Sequence, residues 1–228
     1  AETMRLDGNN SSVHEEGRRA SKIIEDAREK VRALVNAPVN GIVFTSGGTE
    51  SIHFALHGAV KAQGLSRIFV SAIEHPAVLA NAQTTGAEIE VIPVTASGVC
   101  DLDWLKSRLA NYDPAREGKF LACVMFANNE TGVIQPIPEI SDLVHDADGL
   151  LFCDAAQAVG KVPVNFVMSG ADILSFTGHK FGGPLGVGAV VAGLNLALEP
   201  VLRGGGQEMN RRASTTNTPG IAGLGCAC

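Results

Sequence analysis

Lys180 is the residue whose chemistry stands out, because this amine lies between an apolar, strand-like run and a cluster of glycines. The stretch is "DILSFTGHKFGGPLGVGAV", residues 172–190. A lysine next to other cationic or apolar groups has its charged form disfavoured, and a neutral amine is a nucleophile toward aldehydes. A solvated surface lysine is the ordinary alternative. Lys180 therefore predicts aldehyde chemistry only if other reactive residues accompany it.

Asp154 is a second candidate for chemistry. It follows four apolar residues in "LLFCDAAQAVG", and Gln157 comes three residues later. Burying a carboxylate is costly unless it meets a cation or hydrogen-bond donors. A functional role is therefore favoured for Asp154 even in isolation.

A glycine-rich turn, "GGTES", follows the apolar run "GIVFTS" and opens a helix. The amides and positive end of a helix can bind phosphate, and the Thr49 hydroxyl next to Gly48 adds a donor. The turn lacks the lysine of a P-loop and the third glycine of a dinucleotide fingerprint. A helix cap, with Thr49 and Glu50 in the first turn, explains the segment equally well.

Two further polar residues follow apolar runs: His75, before the proline of "IEHPAV", and Asn129, in the turn "NNETG". A capping histidine and ordinary turn chemistry are the alternative interpretations. Taken together, however, a phosphate site, a buried carboxylate, a ring-stacking histidine, amide side chains and an aldehyde-capturing lysine are the parts that bind pyridoxal phosphate. Asp154 would keep the pyridine nitrogen protonated, and Gln157 would hydrogen-bond the ring hydroxyl.

These residues need a scaffold that brings several strand ends together. Seven β-rich runs are predicted as strands: "GIVFTS", "RIFVSA", "IEVIPV", "KFLACVMFA", "LLFCDA", "DILSFT" and "VGAVVAG". Helices are predicted between them over residues 14–36, 49–63, 76–85, 101–110 and 137–148. Near-continuous apolar strands alternating with helices predict a three-layer α/β/α fold with a mainly parallel, seven-stranded sheet. In such sheets ligands bind beyond the carboxyl ends of the strands.

Composition narrows the function further. The 228 residues are 45% hydrophobic and 18% charged, which is ample for a core, and the formal net charge of −6 disfavours nucleic acid and anionic membranes as partners. Five cysteines without framework spacing, and no long apolar segment, favour a reducing, cytoplasmic setting. Neither the Cys226–Cys228 pair nor the His53/His57 spacing brings enough ligands for a metal site, so none is expected.

With these residues assembled, the sequence resembles the class V aminotransferase superfamily of fold-type I pyridoxal-phosphate enzymes. Within it, the resemblance is strongest to the NifS/IscS-like group of cysteine desulfurases, which supply sulfur for iron–sulfur clusters. Seven segments carry the resemblance, in the family's order: "GNNSSVHEEGRRA", "FTSGGTES", "EHPAVL", "NNETGVIQPI", "DAAQAVGKVPV", "SFTGHKFGGPLGVGA" and "RGGGQE". It covers essentially the whole chain.

The resemblance implies a role for each candidate residue. Lys180 bonds covalently to the cofactor, and His75 stacks on its ring and assists proton transfer. The ring is further held through its pyridine nitrogen and ring oxygen by Asp154, Gln157 and Asn129, and the phosphate is contacted by the turn at Gly48 with Thr49, Thr177 and His179. Thr215 reaches the phosphate of a neighbouring subunit, which implies a homodimer. L-cysteine or a related small amino acid would be the substrate, and a sulfur-acceptor or scaffold protein a further partner.

The resemblance also predicts a domain organisation. Residues 1–36 lead into the large domain, residues 37–202 form the cofactor-binding large domain, and residues 203–228 form an interface loop and the start of a helix leading to a small domain. Family members extend further at both ends, so we expect the amino-terminal segment and the small domain, with its cysteine-bearing loop, to be absent here. None of the five cysteines matches that sulfur-accepting position. Asn10 replaces a family proline, and "RAST" from residue 212 replaces Arg-Ser-Gly-Thr.

Three alternatives remain open at the level of the sequence. The first is another class V enzyme with the same cofactor residues, such as a selenocysteine lyase or a small-amino-acid aminotransferase. The second is a truncated, non-catalytic dimerisation partner. A nicotinamide- or nucleotide-binding α/β domain is disfavoured, because "FTSGGTES" lacks the required glycines and lysine.

Overall fold

The computed structural model describes residues 9–10 and 12–228, and this part of the chain contains one mixed sheet of seven strands. Residues 1–8 of the predicted amino-terminal segment, together with Ser11, lie outside the described residues. The strands are β1 (Ile42–Thr45), β2 (Leu65–Ser71), β3 (Glu88–Ile92), β4 (Lys119–Cys123), β5 (Leu150–Asp154), β6 (Ile173–Thr177) and β7 (Gly188–Ala192). Each of them overlaps one of the seven predicted runs.

The sheet is mainly parallel, as predicted. Its strand order is β1-β7-β6-β5-β4-β2-β3, and only β7 runs antiparallel to its neighbours among the described strands. The carboxyl ends of β1, β2, β4, β5 and β6 therefore meet at one edge of the sheet. In open α/β sheets that edge is where ligands bind.

Helices connect most of the strands. They are α1 (Glu15–Val35), α2 (Gly48–Gln63), α3 (Pro76–Thr84), α4 (Leu102–Leu109), α5 (Pro114–Glu117), α6 (Ile137–Asp146), α7 (Phe166–Ser169), α8 (Gln207–Asn210) and α9 (Thr218–Ala227), with 3₁₀ turns at Val39–Gly41 and Gly178–Lys180. The five predicted helices are present. The sequence did not predict the four-residue helices α5, α7 and α8, and α9 is a helix of ten residues where only a start was expected.

Two predicted elements end early. The strand predicted over residues 119–127 stops at Cys123. The Met125 amide donates its hydrogen bond to the Glu74 side chain and not to the backbone of β2, so the pairing with β2 ends there. The helix predicted to end at Asp148 stops at Asp146. Asp148 itself has a left-handed backbone with φ 55°, which is incompatible with a continuing right-handed helix.

The sheet lies between two layers of helices. One face packs against α2 and α3 through residues such as Val43, Ile68 and Val190. The opposite face packs against α1, α9, α4 and α6 through residues such as Phe44 and Phe69. Because successive strand side chains point to opposite faces, the continuous apolar runs serve both layers. This confirms the predicted α/β/α arrangement. In the described part of the chain, no helix is long and apolar enough to cross a membrane.

Candidate active site

A cavity of about 340 Å³ opens at the carboxyl ends of the parallel strands. Its size is within the roughly 300–1,000 Å³ of small-molecule pockets. Nine of the ten residues singled out from the sequence line it: Gly48, Thr49, His75, Asn129, Asp154, Gln157, Thr177, His179 and Lys180. Ile52, Met125, Ala127 and Ala156, which sequence reasoning did not select, complete the wall. Thr215 does not line this cavity.

The amino-terminal end of α2 forms one wall. Its cap is Gly47, with φ 152° and ψ −177°, a conformation that is essentially restricted to glycine. The first amides of the helix, including those of Gly48 and Thr49, have no acceptor within the helix. They form the positive end of the helix dipole, which favours anions. The Glu50 carboxylate accepts a hydrogen bond of 2.8 Å from the Ser46 amide, so the capping interpretation holds for Glu50. The Thr49 hydroxyl has no hydrogen-bond partner among the described residues.

Thr177 and His179 form a short hydrogen-bonded chain beside that helix end. The buried Thr177 hydroxyl donates to the Val187 carbonyl at 3.2 Å and lies 3.1 Å from Nδ1 of His179. A hydroxyl has one proton, so Nδ1 is the donor in the second contact. Nε2 of His179 is therefore the ring atom available to a ligand, and it donates to a phosphate when the ring is doubly protonated.

Asp154 ends β5 and forms the sealed floor of the cavity. Only 6% of the residue is exposed, and Oδ1 accepts a hydrogen bond of 3.0 Å from the Ala156 amide. Burial raises the pKa of the Asp154 carboxyl, while that amide and the nearby His75 oppose the rise. Within the described chain Oδ2 has no partner. The carboxylate thus has an acceptor atom available for a cationic N–H donor in the cavity.

Gln157 is oriented by a lysine that the sequence analysis passed over. Nζ of Lys161 donates to Oε1 of Gln157 at 2.6 Å. The amide oxygen is therefore occupied, and the Nε2 donor is left for the cavity. Burial, and then the charge of Lys180, lower the pKa of Lys161. The amine of Lys180 itself lies in the 3₁₀ turn directly after β6 and is exposed.

His75 has two uses at once. As the N-cap of α3 it accepts a hydrogen bond of 3.1 Å from the Ala77 amide through Nδ1, which is the structural role proposed as the alternative from sequence. Its ring also lines the cavity and is exposed there. The capping contact fixes the ring at the cavity mouth, so the two roles are compatible.

The two asparagines of "NNETG" have different roles. Asn128 holds the turn, because its Oδ1 accepts from the amides of Glu130 and Thr131 and its Nδ2 donates to the Ile73 carbonyl. Asn129 lines the cavity, and its side chain has no hydrogen-bond partner in the part of the chain described. Turn chemistry thus explains Asn128 and leaves Asn129 for a ligand.

Sequence reasoning missed two acids with structural roles, one next to the cavity residue His75 and one in the "RGGGQE" segment. Glu74 precedes His75 and accepts from the Ser71 hydroxyl and the Met125 amide, at 2.8 and 2.6 Å. Glu208 lies in the "RGGGQE" segment and pairs with Arg28 of α1. The argument used for Asp154, a carboxylate close behind an apolar strand, would have found Glu74. A contact between residues 180 positions apart leaves no comparable local signal.

The cysteines lie away from the cavity, and among the described residues none lines it. Cys100, Cys123 and Cys153 are buried in the core, and burial raises their thiol pKa values, to about 12 for Cys100. Cys226 and Cys228 are exposed at the end of α9. All five are free thiols, and none of them is presented to the site.

The donor set fits pyridoxal phosphate. The end of α2 provides amides for a phosphate, Asp154 a buried acceptor for a protonated ring nitrogen, and Gln157 a donor for a ring oxygen. Lys180 supplies an amine at the same cavity. One cavity therefore offers side chains and amides suited to the phosphate, the ring and the aldehyde.

Comparison with known proteins agrees with this geometry. The family model for class V aminotransferases matches residues 2–228. The cysteine desulfurase IscS of Dictyoglomus turgidum is 42% identical over 226 residues, 96% of this chain and 56% of that relative. The chain thus spans little more than half the length of this curated relative.

Solved structures give the same result. One described as a NifS-like protein has a TM-score of 0.90 at 35% identity and is matched over 98% of this chain and 61% of its own. A second, described as SspA in complex with cysteine, has a TM-score of 0.90 at 33% identity over 99% of this chain and 67% of its own. The chain therefore belongs to the class V aminotransferase family of pyridoxal-phosphate-dependent enzymes.

Proposed function

We propose that this chain is the cofactor-binding part of a cysteine desulfurase that converts L-cysteine to L-alanine and passes the sulfur on as a persulfide. The observation that carries the proposal is the single cavity lined by Lys180, Asp154, Gln157, His75 and the end of α2. The names of the relatives, and the cysteine bound in the SspA structure, support cysteine as the substrate.

Pyridoxal phosphate, once bound, supplies an electron sink for negative charge that develops on the substrate's α-carbon. The protein's residues hold it and move protons. Lys180 would provide the amine that anchors the cofactor, and Asp154 would accept a hydrogen bond from the ring nitrogen and so favour its protonated form. Gln157 and Asn129 would hold the ring oxygen, and His75 would contact the ring.

The phosphate is assigned to the turn that begins α2. Gly48, Thr49 and His179 all line the cavity, and the donors that they would offer are the first amides of α2, the Thr49 hydroxyl and Nε2 of His179. Thr177 acts there mainly by fixing His179, because its own proton is donated to Val187. The direct contact of Thr177 with the phosphate stays a prediction from the sequence.

We assign Thr215 to the site of a second copy, so that the functional unit is a homodimer. Thr215 is exposed, does not line its own cavity, and lies on a loop fastened by Arg28–Glu208 and Arg212–Glu50 contacts. Mixing Lys180→Ala with Thr215→Ala chains tests this, because a mixed dimer would contain one site with both residues intact. Cofactor binding that fails to recover in the mixture would contradict the assignment.

The sulfur acceptor is proposed to be a thiol outside the five cysteines described above, since none of them reaches the cavity. A reducing, cytoplasmic setting suits five free thiols. A sulfur-accepting or scaffold protein is the corresponding partner.

The cofactor test uses the 228-residue chain with added pyridoxal phosphate. A visible absorbance band should form, and borohydride reduction followed by peptide mapping should place the added mass on Lys180. Lys180→Ala should lose both signals, while Lys119→Ala, at the opposite end of the sheet, should keep them. Absence of the band in the unmodified chain would overturn the proposal. L-cysteine, L-selenocysteine or L-alanine is then added to the loaded protein together with a reducing thiol, which takes up the sulfur or selenium and releases it as sulfide or selenide. Release of sulfide indicates a desulfurase, release of selenide a lyase, and release of a keto acid an aminotransferase.

A further inference from the structure

The carboxyl group of Glu74 is sealed beside the cavity floor. Oε1 accepts the two hydrogen bonds from Ser71 and Met125, at 2.8 and 2.6 Å. Oε2 is shielded from solvent and has no hydrogen-bond partner among the described residues. No lysine or arginine pairs with Glu74 in that part of the chain. An ionised carboxylate in this position would be uncompensated, and that is costly.

A second buried acid makes ionisation harder still. Asp154 lies close enough for its charge to act on Glu74, and the two carboxyls compete for the same low-dielectric region. Asp154 lines the cavity, and the Ala156 amide and the nearby His75 favour its ionised form without any ligand, whereas Oε2 of Glu74 is closed off. Of the two acids, Glu74 is therefore the one that keeps a proton.

The other titratable groups around Glu74 do not supply a counter-charge. Three thiols lie near Glu74, those of Cys100, Cys123 and Cys153. Burial raises their pKa values most and Glu74 raises them further, so these thiols stay neutral. His75, the next residue, acts on Asp154 instead. Burial, and then Asp154, raise the pKa of Glu74 to about 8.

Glu74 also ties two walls of the cavity together. It lies in the loop between β2 and α3, directly before His75, and its bond to Met125 reaches the segment that continues β4. Met125 and His75 both line the cavity. Together with the bond from Nδ2 of Asn128 to the Ile73 carbonyl, the Glu74 carboxyl links the loop that carries His75 to the segment that follows β4.

We propose that Glu74 is a positioning residue that carries a proton at neutral pH, fixes the His75 loop to Met125, and leaves Asp154 as the ionised member of the pair. This role rests on the proposed function insofar as Asp154 is meant to hold a cofactor's ring nitrogen. The protonation of Glu74 itself is a property of the chain without cofactor. It can therefore be tested separately.

The pH dependence of stability follows from this protonation. Below the ordinary pKa of 4.5 the carboxyl is protonated in both the folded and the unfolded chain. Between 4.5 and about 8 only the folded chain keeps the proton, so rising pH favours unfolding by up to about tenfold per pH unit. Above about 8 the contribution of Glu74 to stability has been lost.

The first experiment is infrared spectroscopy of the cofactor-free chain with ¹³C-labelled glutamate. A protonated-carboxyl band should be present at pH 6.5, absent in Glu74→Gln, and retained in the matched control Glu139→Gln, which alters an exposed glutamate. It should also persist in Asp154→Asn. If the wild-type chain shows no such band, Glu74 is ionised and the proposal fails, whatever the chain does with pyridoxal phosphate.

The second experiment compares urea unfolding of the cofactor-free variants across pH 5 to 8. Glutamine is a neutral isostere of the protonated acid, so Glu74→Gln should be as stable as the wild type near pH 5. At higher pH the folding equilibrium constant of the wild type should fall relative to that of Glu74→Gln, by up to about tenfold per pH unit. Glu139→Gln should follow the wild-type curve. Identical curves for Glu74→Gln and wild type would overturn the proposal.

The link to Met125 has its own readout in amide hydrogen exchange. Glu74→Gln keeps an acceptor for the Met125 amide, whereas Glu74→Met removes it at similar side-chain size. Exchange at Met125 should accelerate by roughly tenfold in Glu74→Met and stay near the wild-type rate in Glu74→Gln. Equal protection in both variants would show that Glu74 does not hold this wall. A failed Lys180→Ala experiment would instead bear on the proposed function alone.

Discussion

Both terminal nitrogens of Arg28 donate to the carboxylate of Glu208, at 2.9 and 3.0 Å, although the residues are 180 positions apart. Both side chains are at least 95% buried, and Glu208 also accepts from the Phe44 amide at 2.8 Å. Glu208 and the two residues after it adopt left-handed backbone angles that non-glycine residues rarely take. The buried pair therefore stabilises a strained loop next to the segment that presents Thr215.

Removing one member of this pair should destabilise the chain severely. Arg28→Met leaves the Glu208 carboxylate buried without its cation, and we expect a loss of about 3–5 kcal/mol in the free energy of unfolding, measured in urea. The control is Arg32→Met, because the Arg32–Glu29 pair on the same helix is largely exposed and should contribute about 0–1 kcal/mol. Equal effects of the two substitutions would mean that the buried pair does not anchor the loop.

The backbone of Gly47 should matter for phosphate binding and not only for folding. The methyl group added by Gly47→Ala meets no atom within 4 Å. The substitution nevertheless forces alanine into a conformation that only glycine adopts readily, which should cost about 1–3 kcal/mol of stability and displace the first amides of α2. Gly64 ends the same helix, also has positive φ and also has open space around it, so Gly64→Ala is a matched control.

The discriminating measurement for Gly47 is the affinity for pyridoxal phosphate relative to pyridoxal. Gly47→Ala should lower this ratio, because only the phosphate uses the helix end. Gly64→Ala should destabilise the chain by a similar amount and leave the ratio unchanged. A lowered ratio in both variants would point to general destabilisation instead of a phosphate site.

Thiol reactivity should separate the cysteines into two groups. In the folded chain a thiol reagent should modify Cys226 readily and Cys228 more slowly. Although the Cys228 residue is exposed, its thiol is partly buried against the Leu224 carbonyl, and this partial burial raises its pKa to about 11. Cys100, Cys123 and Cys153 should react only after unfolding. Peptide mapping after brief labelling checks this. Rapid labelling of Cys123 or Cys153 would require an opening of the sheet that the structure does not show.

Much of the site follows from local patterns in the sequence. Apolar runs mark the strands, and a polar residue directly after a strand, such as Asp154 or Lys180, must lie at the sheet edge where parallel strands end. Since all these ends meet, residues far apart in sequence could be predicted to share one cavity. The same reasoning located the α2 turn and His75.

Two kinds of contact escaped prediction, one between distant segments and one between close neighbours in the sequence. The pattern of α1 shows Ala27 and Val31 on the buried face but does not reveal why Arg28 is buried with them, since its partner Glu208 lies near the other end of the chain. The hydrogen bond from Lys161 to Gln157 was missed for a different reason: a lysine in a turn is ordinarily solvated. The Arg28–Glu208 pairing is set by tertiary packing, for which the local sequence carries no periodic signal.

His75 offers the sharpest test of the site, because one side chain performs a structural and a functional role that different substitutions can separate. Asparagine can accept the Ala77 amide as histidine does but has no ring, whereas phenylalanine keeps a ring and cannot cap the helix. His75→Asn should retain stability and lose roughly threefold to tenfold in cofactor affinity, the range expected for one aromatic contact.

His75→Phe should show the opposite behaviour, keeping the affinity while losing about 1 kcal/mol of stability together with the cap. Titration with pyridoxal phosphate and urea unfolding measure the two properties independently, and Lys180 is intact in both variants. If His75→Asn binds the cofactor as tightly as wild type, the ring is not used, and His75 is only the cap of α3. A crossed result, with affinity following the ring and stability following the cap, assigns both roles to the same residue.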